Sequence, residues 1–308
     1  NFKVFAKITI LGEFLAISAV TMCMLFVFVD MGQPTRVLNV ILHPTLNSIM
    51  FWDFVSLGGY LVLNAVIALV TLSSERNGVA PPAWIRPVIL LSIPWAVSIH
   101  TVTAFLYSGL PGRSLWLTAI LAPRFLASAF SSGPALLILL CLAIRRLTRF
   151  DPGKEPIQKL ALIVTYAMII NVFFVGMELF TALYSQIPDH LEHFHYMFFG
   201  LENSTTLVPW MWGSVILAVV SLPLLIVPKA RRNEKLLALT CGMVFLSLWS
   251  DKGVCLVVCG FVPSPLGAVT GYAPTLPEVT ITLAIWAVGA LMITVFYKIT
   301  LSVRESLA

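Results

Sequence analysis

Charge is what this chain has least of. Asp, Glu, Lys and Arg make up 11% of the 308 residues and hydrophobic types 59%, where soluble domains hold about 25% and about 45–50%. A soluble core of this length has no use for so much apolar side chain, so a free-standing globular domain is excluded. Cysteine is sparse as well. Cys23, Cys141, Cys241, Cys255 and Cys259 contain no C-x-x-C, and Cys255 and Cys259 have the spacing of neighbours on one helix face, so all five read as plain thiols. Of His43, His100, His190, His193 and His195, only His100 lies firmly inside an apolar run. A bis-histidine haem needs two imidazoles at matching depth, which leaves open only a methionine-ligated haem on His100. A haem-carrying cytochrome is therefore not the expected reading. There is no cleavable signal pattern, and the start at Asn1 leads us to expect either processing or a beginning outside this sequence.

What is present is a series of apolar runs long enough to cross a hydrocarbon layer about 30 Å thick. Eight are read, at 8–29, 48–73, 87–110, 122–147, 157–185, 206–227, 235–262 and 276–303. They are expected to be helices, because only helices and closed barrels satisfy their own backbone in lipid and these runs are too long for barrel strands. The fold class is therefore an all-α polytopic membrane protein. Net charge +5 and a pI of 9.0 imply no nucleic-acid partner, because the basic residues sit between the spans, where they set topology. All of the 19 Lys and Arg except Arg36, Arg113, Arg124 and Lys252 fall at the termini or in the 74–86, 145–159 and 228–235 loops. By the positive-inside rule both termini are cytoplasmic. The opposite loops are rich in Pro, Gly and aromatics, and Trp116, Trp210, Trp212 and Tyr272 are expected at the interface.

An ionisable group at the bilayer centre costs about 2.5–3.5 kcal/mol on insertion scales, so it normally faces a bundle interior, a cavity or a partner. This chain keeps Glu13, Asp53, His100, Arg124, Glu178, Asp251, Lys252 and Glu278 within the spans or at their ends. Counting residues at about 1.5 Å of rise each places most of them toward the extracytoplasmic side, with Glu13 alone in the inner half. Acids, a histidine and an arginine at one depth suit quinone chemistry, which needs hydrogen-bond partners for two oxygens and groups that exchange protons. The bland alternative is that Arg124 pairs with Asp53 or Glu178, and Asp251 with Lys252 or Glu278, to neutralise charge between helices. Glu13, with Asn64 and Asn171, forms a candidate proton path, although isolated polar residues also glue helices together. The stretch Asp189 to Gly200 gathers three histidines with Glu192. In a helix His193 and His195 face different ways, so an interfacial helix beside a partner is expected there in preference to a metal site.

Several segments resemble one family. Asp30-Met31-Gly32-Gln33-Pro34 after a helix end resembles the D-x-G-x-P segment of the NrfD/PsrC-like integral membrane subunits, and Ser48 to Asp53 resembles the start of their next helix. Ile93-Pro94 before His100, Pro123 to Ser128, Pro263 to Gly267 and Tyr272 to Glu278 continue the likeness in order. Within the family it looks nearest to DsrP, HmcC and QrcD-like members. The resemblance implies two helical bundles, here 1–150 and 151–308, in the cytoplasmic membrane of a prokaryote. It further implies electron exchange between menaquinone or ubiquinone and an extracytoplasmic, ferredoxin-like iron-sulfur subunit, itself joined to a multihaem cytochrome or catalytic subunit, with no haem, iron-sulfur cluster or metal held by this chain itself. It carries Asp53 and His100 over as quinone-pocket or proton-exchanging groups, followed by Arg124, Glu178, Asp251 and Glu278. Longer members carry two further helices before the D-x-G-x-P segment. Either these lie outside this sequence or the chain is an eight-helix member.

The rival reading is a secondary transporter or proton-conducting subunit, since intramembrane carboxylates and an arginine also mark substrate and proton pathways. Its signs are inverted repeats and a midplane site at broken helices. Pro94, Gly133-Pro134 and Pro223 could break helices, but they form no matched pair in two halves.

Overall fold

The computed structural model describes residues 2–5, 7–148, 150–202 and 204–305; Arg149, one of the basic-loop residues, lies outside them. The helices that organise it are α1 (Thr9–Asp30), α2 (Ile49–Arg76), α3 (Ile85–Ser108), α4 (Leu121–Leu147), α5 (Lys154–Ser185), α6 (Pro188–Phe198), α7 (Val208–Ile226), α8 (Pro228–Arg232), α9 (Glu234–Trp249), α10 (Val257–Phe261) and α11 (Leu276–Glu305). Between α9 and α10 the residues Ser250–Leu256 widen into a π-helical turn, so 234–261 is one span with a local defect. Eight helices among the described residues are long and apolar enough to cross a membrane, as the hydropathy pattern expects. No strand is formed among those residues, only an isolated bridge between Leu201 and Ser204.

Local chemistry ends these helices. After α1 the chain turns at Gly32, whose φ of +66° suits glycine, and Pro34 opens a short 3-10 turn. The helix α2 stops at Asn77-Gly78, where the Gly78 and Val79 amides donate back to Glu75 and Ser74 carbonyls. The helix α9 starts on Asn233, whose Oδ1 accepts from the Lys235 and Leu236 amides.

By packing, the chain groups otherwise than at residue 150. One compact unit is 1–106 with 274–308, and the other is 107–273. In the first, α1 packs on α2 and α11, with the Phe14 and Phe296 rings stacked at 4.6 Å. Val20, Leu57 and Ile99 bring α1, α2 and α3 together. The Trp95 indole donates to the Ser56 carbonyl at 2.9 Å and lies flat enough on Gly59 that a Cβ there would come within 2.3 Å of it.

In the second unit α4 packs on α5 and α9, and α7 on α9. Ser214 and Ser247 lock α7 to α9 by donating each to the other's carbonyl at 2.8 Å, the kind of polar glue that lipid favours. Trp116, expected at the interface, is instead wholly buried. Its Nε1 donates to the Leu256 carbonyl at 3.0 Å, and its ring sits edge-on to Tyr107 and Phe261. The π-helical turn disturbs the regular backbone ladder beside it, and the indole supplies a donor there. Trp210, Trp212 and Tyr272 are exposed.

Candidate functional site

Asp53 stands one turn into α2, on the wall of a crevice of about 70 Å³ bounded by Met24, Val27, Met31, Val40, Met50 and Phe54. The rim is open, since Val27 and Met50 remain 44% and 49% exposed. Thr103 on α3 donates its hydroxyl to Asp53 Oδ1 at 2.8 Å and so fixes the carboxylate's direction. His100 lies one turn earlier on α3, half-buried beside the wholly packed Ile99. Asp53 and His100 thus belong to one unit, on helices that Thr103 ties together. Thr103 was not singled out in the sequence, although its i+3 spacing from His100 puts both on one helix face.

Glu13 also belongs to this unit. Its Oε2 is buried with no hydrogen-bond partner, and it lies near Tyr60, whose side chain also meets Asn64. The Asn64 amide donates to the Tyr60 carbonyl at 2.7 Å. Tyr60, at four residues before Asn64, is a further group that the sequence reading passed over.

The second unit holds a separate constellation. Arg124 at the start of α4, Glu178 on α5 and Asp251 in the π-helical turn are 5%, 9% and 6% exposed. Arg124 Nη2 lies 2.7 and 2.9 Å from the two Asp251 oxygens, and its Nη1 bonds Glu178. Lys252 closes the group, its Nζ 3.3 Å from the Arg124 carbonyl and 3.9 Å from Asp251. Arg124 Nε is buried without a partner. The adjoining cavity, about 20 Å³, has room for about one water. This is the neutralising pairing weighed in the sequence, with Arg124 shared between two acids and Asp53 outside it. Asn171, from the expected proton path, is in this unit with its Oδ1 buried and unpartnered.

Glu278 is exposed, and its Oε2 accepts from the Thr275 amide at 2.6 Å. Thr275-x-x-Glu278 opens α11 as half of a capping box, a local duty legible in the spacing.

The histidine-rich stretch forms α6, with His193 buried and His195 exposed. His193 Nε2 lies 3.0 Å from Ser114 Oγ, and Cys259 Sγ donates to the His193 carbonyl at 3.2 Å. Burial holds the His193 imidazole below its ordinary pKa, against the Val262 and Cys259 carbonyls and Glu192. Among the described residues no group of three metal-ligating side chains gathers.

Residues 1–262 match the family model described as Polysulphide reductase, NrfD. The chain belongs to the NrfD family. Three similar proteins fit that membership. One from Halobacterium salinarum, named as a membrane subunit of dimethyl sulfoxide reductase, is 23% identical over 92% of this chain and 72% of its own length. The Hdr-like menaquinol oxidoreductase integral membrane subunit of Archaeoglobus fulgidus is 24% identical over 85% of this chain and 63% of its own. A selenate reductase subunit of Mesobacillus selenatarsenatis is 22% identical over 80% and 64%. The chain therefore spans between three-fifths and three-quarters of these relatives' lengths. This NrfD-family chain is a multi-pass integral membrane protein.

Proposed function

We propose that this chain is the membrane subunit of a multi-subunit oxidoreductase, passing electrons and protons between a membrane quinone and an extracytoplasmic iron-sulfur partner. The complex is completed by a multihaem cytochrome or a catalytic subunit, in the cytoplasmic membrane of a prokaryote with both termini inside. The observation that carries this reading is the Asp53–Thr103 pair on the wall of an apolar, open-rimmed crevice. The name of the Archaeoglobus relative, a menaquinol oxidoreductase subunit, supports it.

The residues fit such a ligand. Methionine and valine walls accept a ring and an isoprenoid tail, and one carboxylate offers a directed acceptor at the wall. Menaquinol or ubiquinol, when bound, supplies two electrons and two protons. Thr103 directs its hydroxyl proton at Oδ1 and leaves Oδ2 of Asp53 to accept a hydroxyl hydrogen. His100, one turn along α3, is the next group able to hold a proton. The apolar lining keeps water from competing for these bonds.

Arg124, Glu178 and Asp251 fill a different role in this reading. Arg124 is bonded to both acids and the space beside them takes about one water, so they clasp α4, α5 and the π-helical turn. In this reading proton translocation is assigned to Glu13, Tyr60 and Asn64, and a buried carboxyl with a phenol and an amide beside it supports that assignment. Asn171, in the other unit, is a separate buried amide.

The deciding experiment is Asp53→Asn in the assembled complex, with oxidation of a short-chain quinol as readout. Asn keeps an acceptor for Thr103 and loses the base, so turnover falls by about 10²–10⁴-fold while the complex assembles with all its subunits. Unaltered turnover removes the assignment.

A further inference from the structure

The second unit ends, where α4 runs into α5 and α7 into α9, on a surface made by two loops distant in sequence. They are stitched together. Arg145 pairs with Glu234 and lies 3.8 Å from Asp151, and Gln158 Nε2 donates to the Arg231 carbonyl at 3.2 Å. Arg231 in turn donates to the Leu225 carbonyl at 2.9 Å and closes the end of α7. Lys159 takes Glu155 at 2.8 Å. The carboxylates of these loops, Asp151, Glu155 and Glu234, are thereby satisfied by Arg145 and Lys159. Arg146, Lys154, Lys229, Arg232 and Lys235 remain, exposed and without an ion pair among the described residues.

Exposed aliphatic side chains border those cations directly. Leu147, next to Arg146, is 84% exposed, and Ile226 and Val227, just before Lys229, are 49% and 48% exposed. Cations set against exposed aliphatic surface at the ends of hydrophobic helices match one molecule, whose phosphate meets the cations while its acyl chains cover the aliphatics. We propose that this surface is a binding site for the phosphate headgroup of an anionic phospholipid, and that such lipids are held here in preference to zwitterionic ones. A free phosphate has no use for the aliphatic border. The site belongs to a different unit from the Asp53 crevice and does not depend on the redox reading.

The test is the triple variant K229Q/R232Q/K235Q, which leaves the stitching residues Arg145, Gln158, Arg231 and Glu234 intact. Purified full chain is incorporated into nanodiscs of phosphatidylcholine with a minority of phosphatidylglycerol, released into mild detergent, and its retained lipids are read by native mass spectrometry. Wild type is expected to retain phosphatidylglycerol above its bulk proportion. The triple variant loses that preference, because each cation is worth roughly fivefold in partition, on the order of a hundredfold for three. K298Q, on α11 in the other unit, retains the wild-type preference and shows that the loss is local. Equal phosphatidylglycerol retention by wild type and triple variant overturns the proposal. So does release of the lipid by inorganic phosphate at matched concentration, since that marks a free-anion site. Monodisperse elution of the triple variant on size exclusion separates lost lipid from lost fold.

Discussion

Arg124 grips Asp251 by both carboxylate oxygens, at 2.7 and 2.9 Å, while its other terminal nitrogen holds Glu178. All three side chains are almost fully withdrawn from the surroundings. For such a group the cost of removing one partner exceeds the net worth of the whole, because the remainder is an uncompensated buried charge. Asp251→Ala is therefore expected to lower stability by about 3–5 kcal/mol. Replacing Arg124, Glu178, Asp251 and Lys252 together by Met, Leu, Leu and Met removes every charge of the group and costs far less. Thermal unfolding of the two variants in the same detergent checks this. A quadruple variant as unstable as the single one would show that the helices need the charges themselves.

Thr103 is a positioning residue in the proposed site, since it reaches the ligand only through Asp53. Thr103→Val keeps the shape and deletes the donor, leaving the carboxylate free to rotate. A hydrogen bond to a charged group is worth about 1.5–3 kcal/mol, so quinol turnover should fall on the order of tenfold with little change in apparent KM. Thr103→Ser restores the donor and should restore the rate. Failure of that rescue would assign the loss to packing.

Two tryptophans rest on glycines, which makes a sharp packing test. A Cβ on Gly260 would meet the Trp116 ring at 2.0 Å, and one on Gly59 the Trp95 ring at 2.3 Å, whereas one on Gly242 meets nothing within 4 Å. Gly260→Ala and Gly59→Ala are expected to cost about 1–3 kcal/mol through forced displacement of a packed ring, wholly buried for Trp116 and partly buried for Trp95. Gly242→Ala, inside α9, should be neutral or stabilising by up to about 1 kcal/mol. Melting temperatures of the three single variants give the comparison directly.

The spans are legible in the sequence because lipid imposes a length and a composition that little else produces. The residues that ionise are legible too, since each breaks an apolar run. Their partners are not. Arg124 meets Asp251 at a separation of 127 residues and Trp116 meets the Leu256 carbonyl at 140, and no local pattern encodes such distances. Counting depth placed Asp53 and Arg124 near one level, yet a level is not a neighbourhood, and the two belong to different units. Trp116 reads as an interfacial aromatic because it lies in a loop between two apolar spans. The carbonyl that buries it lies elsewhere in the chain. Glu278 is the opposite case: its cap was written in Thr275-x-x-Glu278 and needed no fold to be seen.

The buried His193 makes the seating of α6 depend on pH. Burial lowers its pKa and nearby His190 adds to that, while the Val262 and Cys259 carbonyls and the Glu192 charge oppose it. In the unfolded segment the imidazole takes up a proton near its ordinary value of about 6.5. Below that pH the detached state binds more protons than the seated one, so the seated state loses stability as pH falls toward the depressed native value, and keeps it fully above about 6.5. Hydrogen exchange over Pro188–Phe198 should therefore quicken between about pH 7.5 and about pH 5.5 once the intrinsic rate is divided out. His193→Gln, which can still bond Ser114 Oγ but does not titrate, should flatten that dependence. Equal acceleration in the variant would show that the effect does not come from His193.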